Sequence, residues 1–180
     1  MNETTIKNVA VYLGSADVHN QVFRQAVIDL ADYLADHDMT LVFGGSNCGM
    51  MKLLADTMLV RNCNVIGVFT KSLPEKFIRH DLTESVITEN LAERKNEMIK
   101  RADAIIALPG SIGTFDELFD ALAQKKLGLI NCYIGVLDVN GFFDPLFELL
   151  QNSRNIGFTS ERTLDMLRSG KTPEELFQKF

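Results

Sequence analysis

The residues best able to do chemistry gather in one nine-residue stretch and one charged segment upstream of it. The stretch reads Pro109-Gly110-Ser111-Ile112-Gly113-Thr114-Phe115-Asp116-Glu117 and follows the apolar run Ala104–Leu108. Glycines placed where a buried strand turns into a helix let backbone N–H groups point outward, and such a helix start is a cradle for a phosphate. Thr114 can bond a phosphate oxygen. Thr114-x-x-Glu117 is equally the spacing of a capping box, in which the glutamate only bonds its own backbone. The residues alone leave both readings open. Upstream, Glu93-Arg94-Lys95-Asn96-Glu97-Met98 puts two cations near a helix start, where the macrodipole favours anions. A bound phosphate would offset that cost, and a solvated charged turn is the plainer alternative.

Two further turns belong to the same group. Phe43-Gly44-Gly45-Ser46-Asn47-Cys48-Gly49-Met50 carries three glycines in six positions, which allows close backbone approach to a ligand. Leu13-Gly14-Ser15 ends the first apolar run and is either a simple turn or a polar contact. It does not have the form GxGxxG, and no GxxxxGK[ST] occurs in the chain, so neither the dinucleotide fingerprint nor a P-loop is present.

The elements that must position these turns alternate. Short apolar runs at Asn8–Leu13, Thr40–Phe43, Asn64–Phe69, Ser85–Thr88, Ala104–Leu108 and Tyr133–Leu137 read as strands. Between them lie helical stripes such as Val22, Phe23, Ala26, Val27, Leu30, Ala31 and Leu34, spaced by threes and fours. Helices are expected over Leu91–Arg101, Thr114–Leu127, Phe142–Leu150 and Ser160–Leu167. Residues 70–84 read as an excursion or loop. Thr172-Pro173-Glu174-Glu175 has the form of a helix start: a Thr cap, proline first, glutamate third. Strands apolar along their whole length imply a parallel sheet covered on both faces. The expected fold is therefore α/β, an open doubly wound parallel sheet in three α/β/α layers, Rossmann-like. Residues 1–180 form one domain with a helical tail from about 160. Ligands in such folds sit beyond the carboxyl ends of the strands.

Composition narrows the classes. Eighteen basic against 24 acidic residues give a net charge of −6, which lacks the footprint of a nucleic-acid binder. The apolar fraction is 46%, ordinary for a globular chain. Cys48, Cys63 and Cys132 form no CxxC pair, and the histidines share no ligand spacing, so neither a disulfide framework nor a metal site is indicated. No cofactor is implied. Reduced thiols fit a cytoplasmic location. The start MNETTIKNVAVYLG lacks a charged-then-apolar leader, and no apolar run nears the roughly 20 residues of a membrane span.

Taken together, these segments resemble the LOG family of cytokinin riboside 5′-monophosphate phosphoribohydrolases. That family's pattern is MHxRKxxM followed by PGGxGTxxE; here the two read Leu91 to Met98 and Pro109 to Glu117. Further likeness lies in Gly14-Ser15, Phe43-Gly44-Gly45 with Gly49-Met50, Val68 to Leu73 and Leu137 to Phe143, over about residues 8–158. The Met-His pair is Leu91-Ala92 here, and the second glycine of PGG is Ser111. The resemblance implies hydrolysis of the N-glycosidic bond of a nucleoside 5′-monophosphate, AMP or an N6-substituted relative. It makes Arg94 and Glu117 the catalytic pair. Gly110, Ser111, Gly113, Thr114 and Lys95 would serve the phosphate, and Ser15, Gly44 and Gly45 the ribose or base. It also implies a homodimer. Leu118, Phe119, Ala121 and Leu122 offer apolar surface to core or interface. A non-catalytic nucleotide carrier on the same scaffold is the alternative. Lysine decarboxylation, an older description of that family, would need a Schiff-base lysine for which no local pattern exists.

Overall fold

Seven parallel strands lie in the order β4-β3-β2-β1-β5-β6-β7 in the computed structural model, which describes residues 5–180. The expectation about a leader rests partly on residues 1–4, including Glu3, and these lie outside the described residues. The strands are β1 (Asn8–Tyr12), β2 (Thr40–Phe43), β3 (Val65–Thr70), β4 (Glu84–Thr88), β5 (Ala104–Ala107), β6 (Tyr133–Leu137) and β7 (Arg168–Gly170). The helices are α1 (Gln21–Asp36), α2 (Gly49–Val60), α3 (Leu91–Arg101), α4 (Ile112–Lys126), α5 (Asp144–Ile156), α6 (Glu161–Leu164) and α7 (Pro173–Phe177). The fold is the expected three-layer α/β/α sheet.

Alternation of side chains along each strand builds two cores. Val9, Val11, Leu41, Phe43 and Val65 pack on one face against Leu30, Leu34, Leu54 and Met58 of α1 and α2. Ala10, Tyr12, Val42, Val68 and Ile105 pack on the other face with Met98, Leu118 and Ala121 of α3 and α4. Each large side chain so buried contributes about 1.5–3 kcal/mol. Leu118 and Ala121 are therefore core, whereas Phe119 remains 42% exposed.

Several boundaries differ from expectation. The helix expected from Phe142 starts at Asp144, because Asn140 and Gly141 adopt left-handed backbone in a 3₁₀ turn. The tail holds a strand, β7, as well as helices. It pairs with β6 from Gly135↔Arg168 to Leu137↔Gly170. Three residues without an apolar side chain give no strand signal, and β7 is an edge strand that needs none. Thr172 caps α7 as expected, accepting the Glu175 N–H at 3.3 Å. Among the described residues, no helix is long and apolar enough to cross a membrane.

Because strand order reverses between β1 and β5, the turns after these two strands meet. A Cβ on Gly14 would touch Gly110 Cα at 3.4 Å, and a Cβ on Gly110 would lie 2.9 Å from the Gly14 nitrogen. This switch point is where an open α/β sheet offers a ligand crevice.

Candidate functional site

Helix α3 begins with its own anionic cap. Asn90 accepts the Glu93 N–H at 2.9 Å, and Glu93 accepts the Glu89 N–H at 3.0 Å. The favourable negative charge is thus supplied before Arg94 and Lys95. The two cations are offset by the chain's own carboxylates. Arg94 Nη1 donates to Glu117 Oε1 at 2.7 Å, and Lys95 Nζ lies 3.0 Å from Asp116 Oδ1. Arg94 Nε donates to the Val68 carbonyl at 2.9 Å. The β2–β3 pairing ends at Phe43↔Gly67, so the guanidinium takes up the next carbonyl along β3.

Gly44 makes room for this arrangement. A Cβ there would stand 2.0 Å from Arg94 Nη2. The neighbouring glycines also answer to internal packing. Gly45, at φ +70°, faces the Phe69 ring, and Gly49, at φ +50°, faces the Ser15 and Ala16 carbonyls. Gly110 faces Thr114 Oγ1. Among the glycines of the three turns, only Gly113 faces open space.

Helix α4 opens at Ile112, with Ser111 at its N-cap and no side-chain cap bond. Thr114 therefore lies inside the first turn and cannot be the cap. Glu117 sits one turn further in and bonds Arg94, which excludes the capping-box reading in this structure. The amides of Ile112, Gly113 and Thr114 have no partner within the helix. The Thr114 hydroxyl is buried without a hydrogen-bond partner, and so is the Tyr12 hydroxyl; no other described buried side-chain N or O atom shares that condition.

Glu117 is 6% exposed. Burial pushes its carboxyl above the usual glutamate range, and Arg94 pulls it back part of the way. Burial also raises the Tyr12 phenol, with the Glu117 charge adding to it. The site thus pairs a costly buried carboxylate with a fork-shaped cation, next to amide donors aimed at solvent.

Beside this pair lies a cavity of about 420 Å³. Ser15, Gly44 and Arg94 line it, as do Ser46, Cys48 and Thr70; Met51, Leu73, Phe77 and Leu91 give it an apolar side. Its walls come from the ends of β1, β2 and β3 and from the start of α3. Of the sequence-predicted residues, Ser15, Gly44 and Arg94 line this cavity; Glu117 joins it through its bond to Arg94, and Gly110, Ser111, Gly113 and Thr114 lie on the adjoining turn, outside the lining. Gly45 backs onto Phe69, and Lys95 is turned to α4. Leu73 and Phe77 were missed because they lie in a polar segment with no periodicity. A larger depression of about 820 Å³ at the end of β6 contains neither Arg94 nor Glu117.

A family model described as "Possible lysine decarboxylase" matches residues 51–180. The probable cytokinin riboside 5′-monophosphate phosphoribohydrolase LOGL1 of Oryza sativa subsp. japonica is 35% identical over 172 residues, covering 95% of this chain and 77% of the relative. The cytokinin riboside 5′-monophosphate phosphoribohydrolase LOG2 of Arabidopsis thaliana is 31% identical, covering 99% and 85%. The chain belongs to the LOG family. The likeness runs further than residues 8–158, since the family model reaches residue 180 and so takes in β7 and α7. Among solved structures, the molybdenum cofactor binding protein of Rippkaea orientalis superposes with a TM-score of 0.71 at 18% identity, over 98% of this chain and 96% of that one. The Moco carrier protein of Chlamydomonas reinhardtii gives 0.69 at 15% identity, over 97% and 94%. These two likenesses concern the fold.

Proposed function

We propose that this LOG-family chain hydrolyses the N-glycosidic bond of a nucleoside 5′-monophosphate, AMP or an N6-substituted adenine nucleotide. The observation that carries the reading is the buried Glu117 carboxylate, held by Arg94 at 2.7 Å one turn inside an uncapped helix start. The free amides of α4 and the unpartnered Thr114 hydroxyl suit the 5′-phosphate. Glu117 lies one helical turn, about 5.4 Å, from the phosphate turn, a span that suits the distance from a 5′-phosphate to C1′.

Water attacks C1′ while the C1′–N bond breaks, and its electron pair leaves with the base. Positive charge builds on the ribose ring, as in O-glycoside hydrolysis. Glu117 stabilises that charge and orients or deprotonates the water. The proton released by water goes in turn to the leaving base. Arg94 holds Glu117 in place and offers its remaining N–H groups to ribose hydroxyls. The products are free base and ribose 5-phosphate. The relatives named as phosphoribohydrolases support the same reading. A cytoplasmic homodimer belongs to it, with the exposed Ile112 and Phe119 beside the site as surface for the second copy.

The test is incubation with AMP, the other common monophosphates and an N6-alkyl AMP, followed by separation of free base and ribose 5-phosphate. Base release that falls by about 10²–10⁴ in Glu117→Gln supports the proposal. A protein that binds these nucleotides and releases nothing is the carrier of the alternative reading.

A further inference from the structure

The apolar side of the cavity depends on residues 71–83, a segment that contributes no strand to the sheet. It carries Leu73 and Phe77, both lining the cavity, and it crosses the outer edge of the turn between β2 and α2. Where it begins, the Lys71 N–H donates to the Thr88 carbonyl at 2.9 Å, and where it ends, the Thr83 hydroxyl accepts the Val65 N–H at 3.0 Å. Ser46 and Ile78 form an isolated antiparallel bridge, and the Asn47 N–H donates to the Phe77 carbonyl at 2.8 Å. Leu82 packs over Gly67, and the Thr83 N–H donates to the Val65 carbonyl at 3.0 Å.

The centre of the attachment is Arg79, a cation only 6% exposed. Its backbone N–H donates to the Gly45 carbonyl at 3.2 Å. Nε and Nη2 hold Asp81 at 2.6 and 2.8 Å, within the segment itself. Nη1 reaches across to α2, to Asp56 at 2.5 Å and the Lys52 carbonyl at 3.5 Å. The planar fork thus joins the segment to α2, a geometry a lysine's point charge cannot reproduce, while the backbone N–H adds the glycine turn. Removing one partner of a buried ion pair is the costly change, so a neutral residue in place of Arg79 leaves the segment untied from α2.

We infer that Arg79 is a positioning residue for the base-side wall of the cavity: it pins residues 71–83 so that Leu73 and Phe77 meet the edge of the nucleobase. The inference rests on the proposed function for the direction of the nucleotide. With phosphate at α4 and ribose at Arg94, the base lies toward Met51, Leu73 and Phe77. A wall of this kind distinguishes bases by the apolar group they carry, and it distinguishes only while it is fixed.

The experiment compares wild type with Arg79→Met, Asp81→Ala and Arg79→Lys. Asp81 lies at the surface, so its variant keeps the fold if Arg79→Met does not. Two readouts are taken: kcat and KM for AMP and for an N6-alkyl AMP, and amide hydrogen exchange at Asn47. The expected result is exchange at Asn47 about tenfold faster, with exchange in β5 unchanged. KM for the N6-alkyl nucleotide rises about tenfold, the scale of one or two methylene contacts, while kcat stays within about threefold and AMP is little affected. Arg79→Lys restores part of the preference. An unchanged preference in a variant whose Asn47 exchange has risen overturns the inference. Unchanged exchange in both Arg79→Met and Asp81→Ala overturns the clamp itself. Failure of the wild type to cleave any nucleotide overturns the proposed function and the selectivity claim with it, while exchange still judges the clamp.

Discussion

Gly44→Ala adds one methyl group and removes no functional atom, yet it acts directly on the proposed catalytic pair. The new Cβ would stand 2.0 Å from Arg94 Nη2, 3.3 Å from its Cζ and 3.4 Å from Met51 Cε. Ordinary contact begins near 3.4 Å, so the guanidinium must retreat by roughly 1.4 Å. Its bonds to Glu117 at 2.7 Å and to the Val68 carbonyl at 2.9 Å cannot both survive such a shift. A displacement of about 1 Å in a positioned group costs on the order of 10² in rate. We therefore expect kcat/KM for AMP or its N6-alkyl relative to fall about 10²-fold. The accompanying loss of folding free energy should be limited to one charge-assisted hydrogen bond, about 1.5–3 kcal/mol. Steady-state release of free base and a urea titration measure the two quantities on one preparation. A Gly44→Ala enzyme within threefold of wild type would show that the Arg94–Glu117 contact does not serve the reaction.

Other expectations follow from the same geometry. Burial raises the Glu117 carboxyl, so the folded state holds its proton more tightly than the unfolded state. Stability is then lost as pH rises from the ordinary glutamate value through the raised one, and Glu117→Gln, which has no such proton, should not show that fall in a pH series of thermal midpoints. If the ionised carboxylate is the active form, the acid limb of kcat/KM lies above the ordinary glutamate value; a limb at or below about 4.3 contradicts this. Thr114→Val removes a buried hydroxyl without a partner. Its thermal midpoint should hold or rise while KM for the nucleotide increases, and a lower midpoint would mean that the hydroxyl is satisfied. Tyr12→Phe should stabilise the fold by about 1–3 kcal/mol in urea unfolding for the same reason.

The layers of the sheet were legible because burial leaves a plain mark on a strand. Asn8–Leu13 and Ala104–Leu108 are apolar along almost their whole length, as a strand covered on both faces must be. Arg168-Ser169-Gly170 lies at the edge and carries no such mark. The turns were legible as turns, but not the reason for their glycines. Gly45 and Gly49 yield space to Phe69 and to Ala16, contacts that only the assembled fold defines. Thr114 and Glu117 show the limit most sharply. A spacing of three suits a capping box and equally suits two residues inside a helix, and the start of α4 at Ile112 decides between them. Arg79 was not legible at all, since its partners Gly45, Lys52 and Asp56 lie more than twenty residues away in the chain.

The bond from Arg94 to the Val68 carbonyl has a consequence beyond chemistry. Where β2 stops, this side chain serves as the next rung of the ladder, so its loss would leave an orphaned carbonyl at the rim of the sheet. A non-catalytic protein on this scaffold would need the same bond to keep that carbonyl satisfied. Finding this arginine in some other sequence thus testifies to an intact scaffold, and the carboxylate facing it is the better witness to turnover.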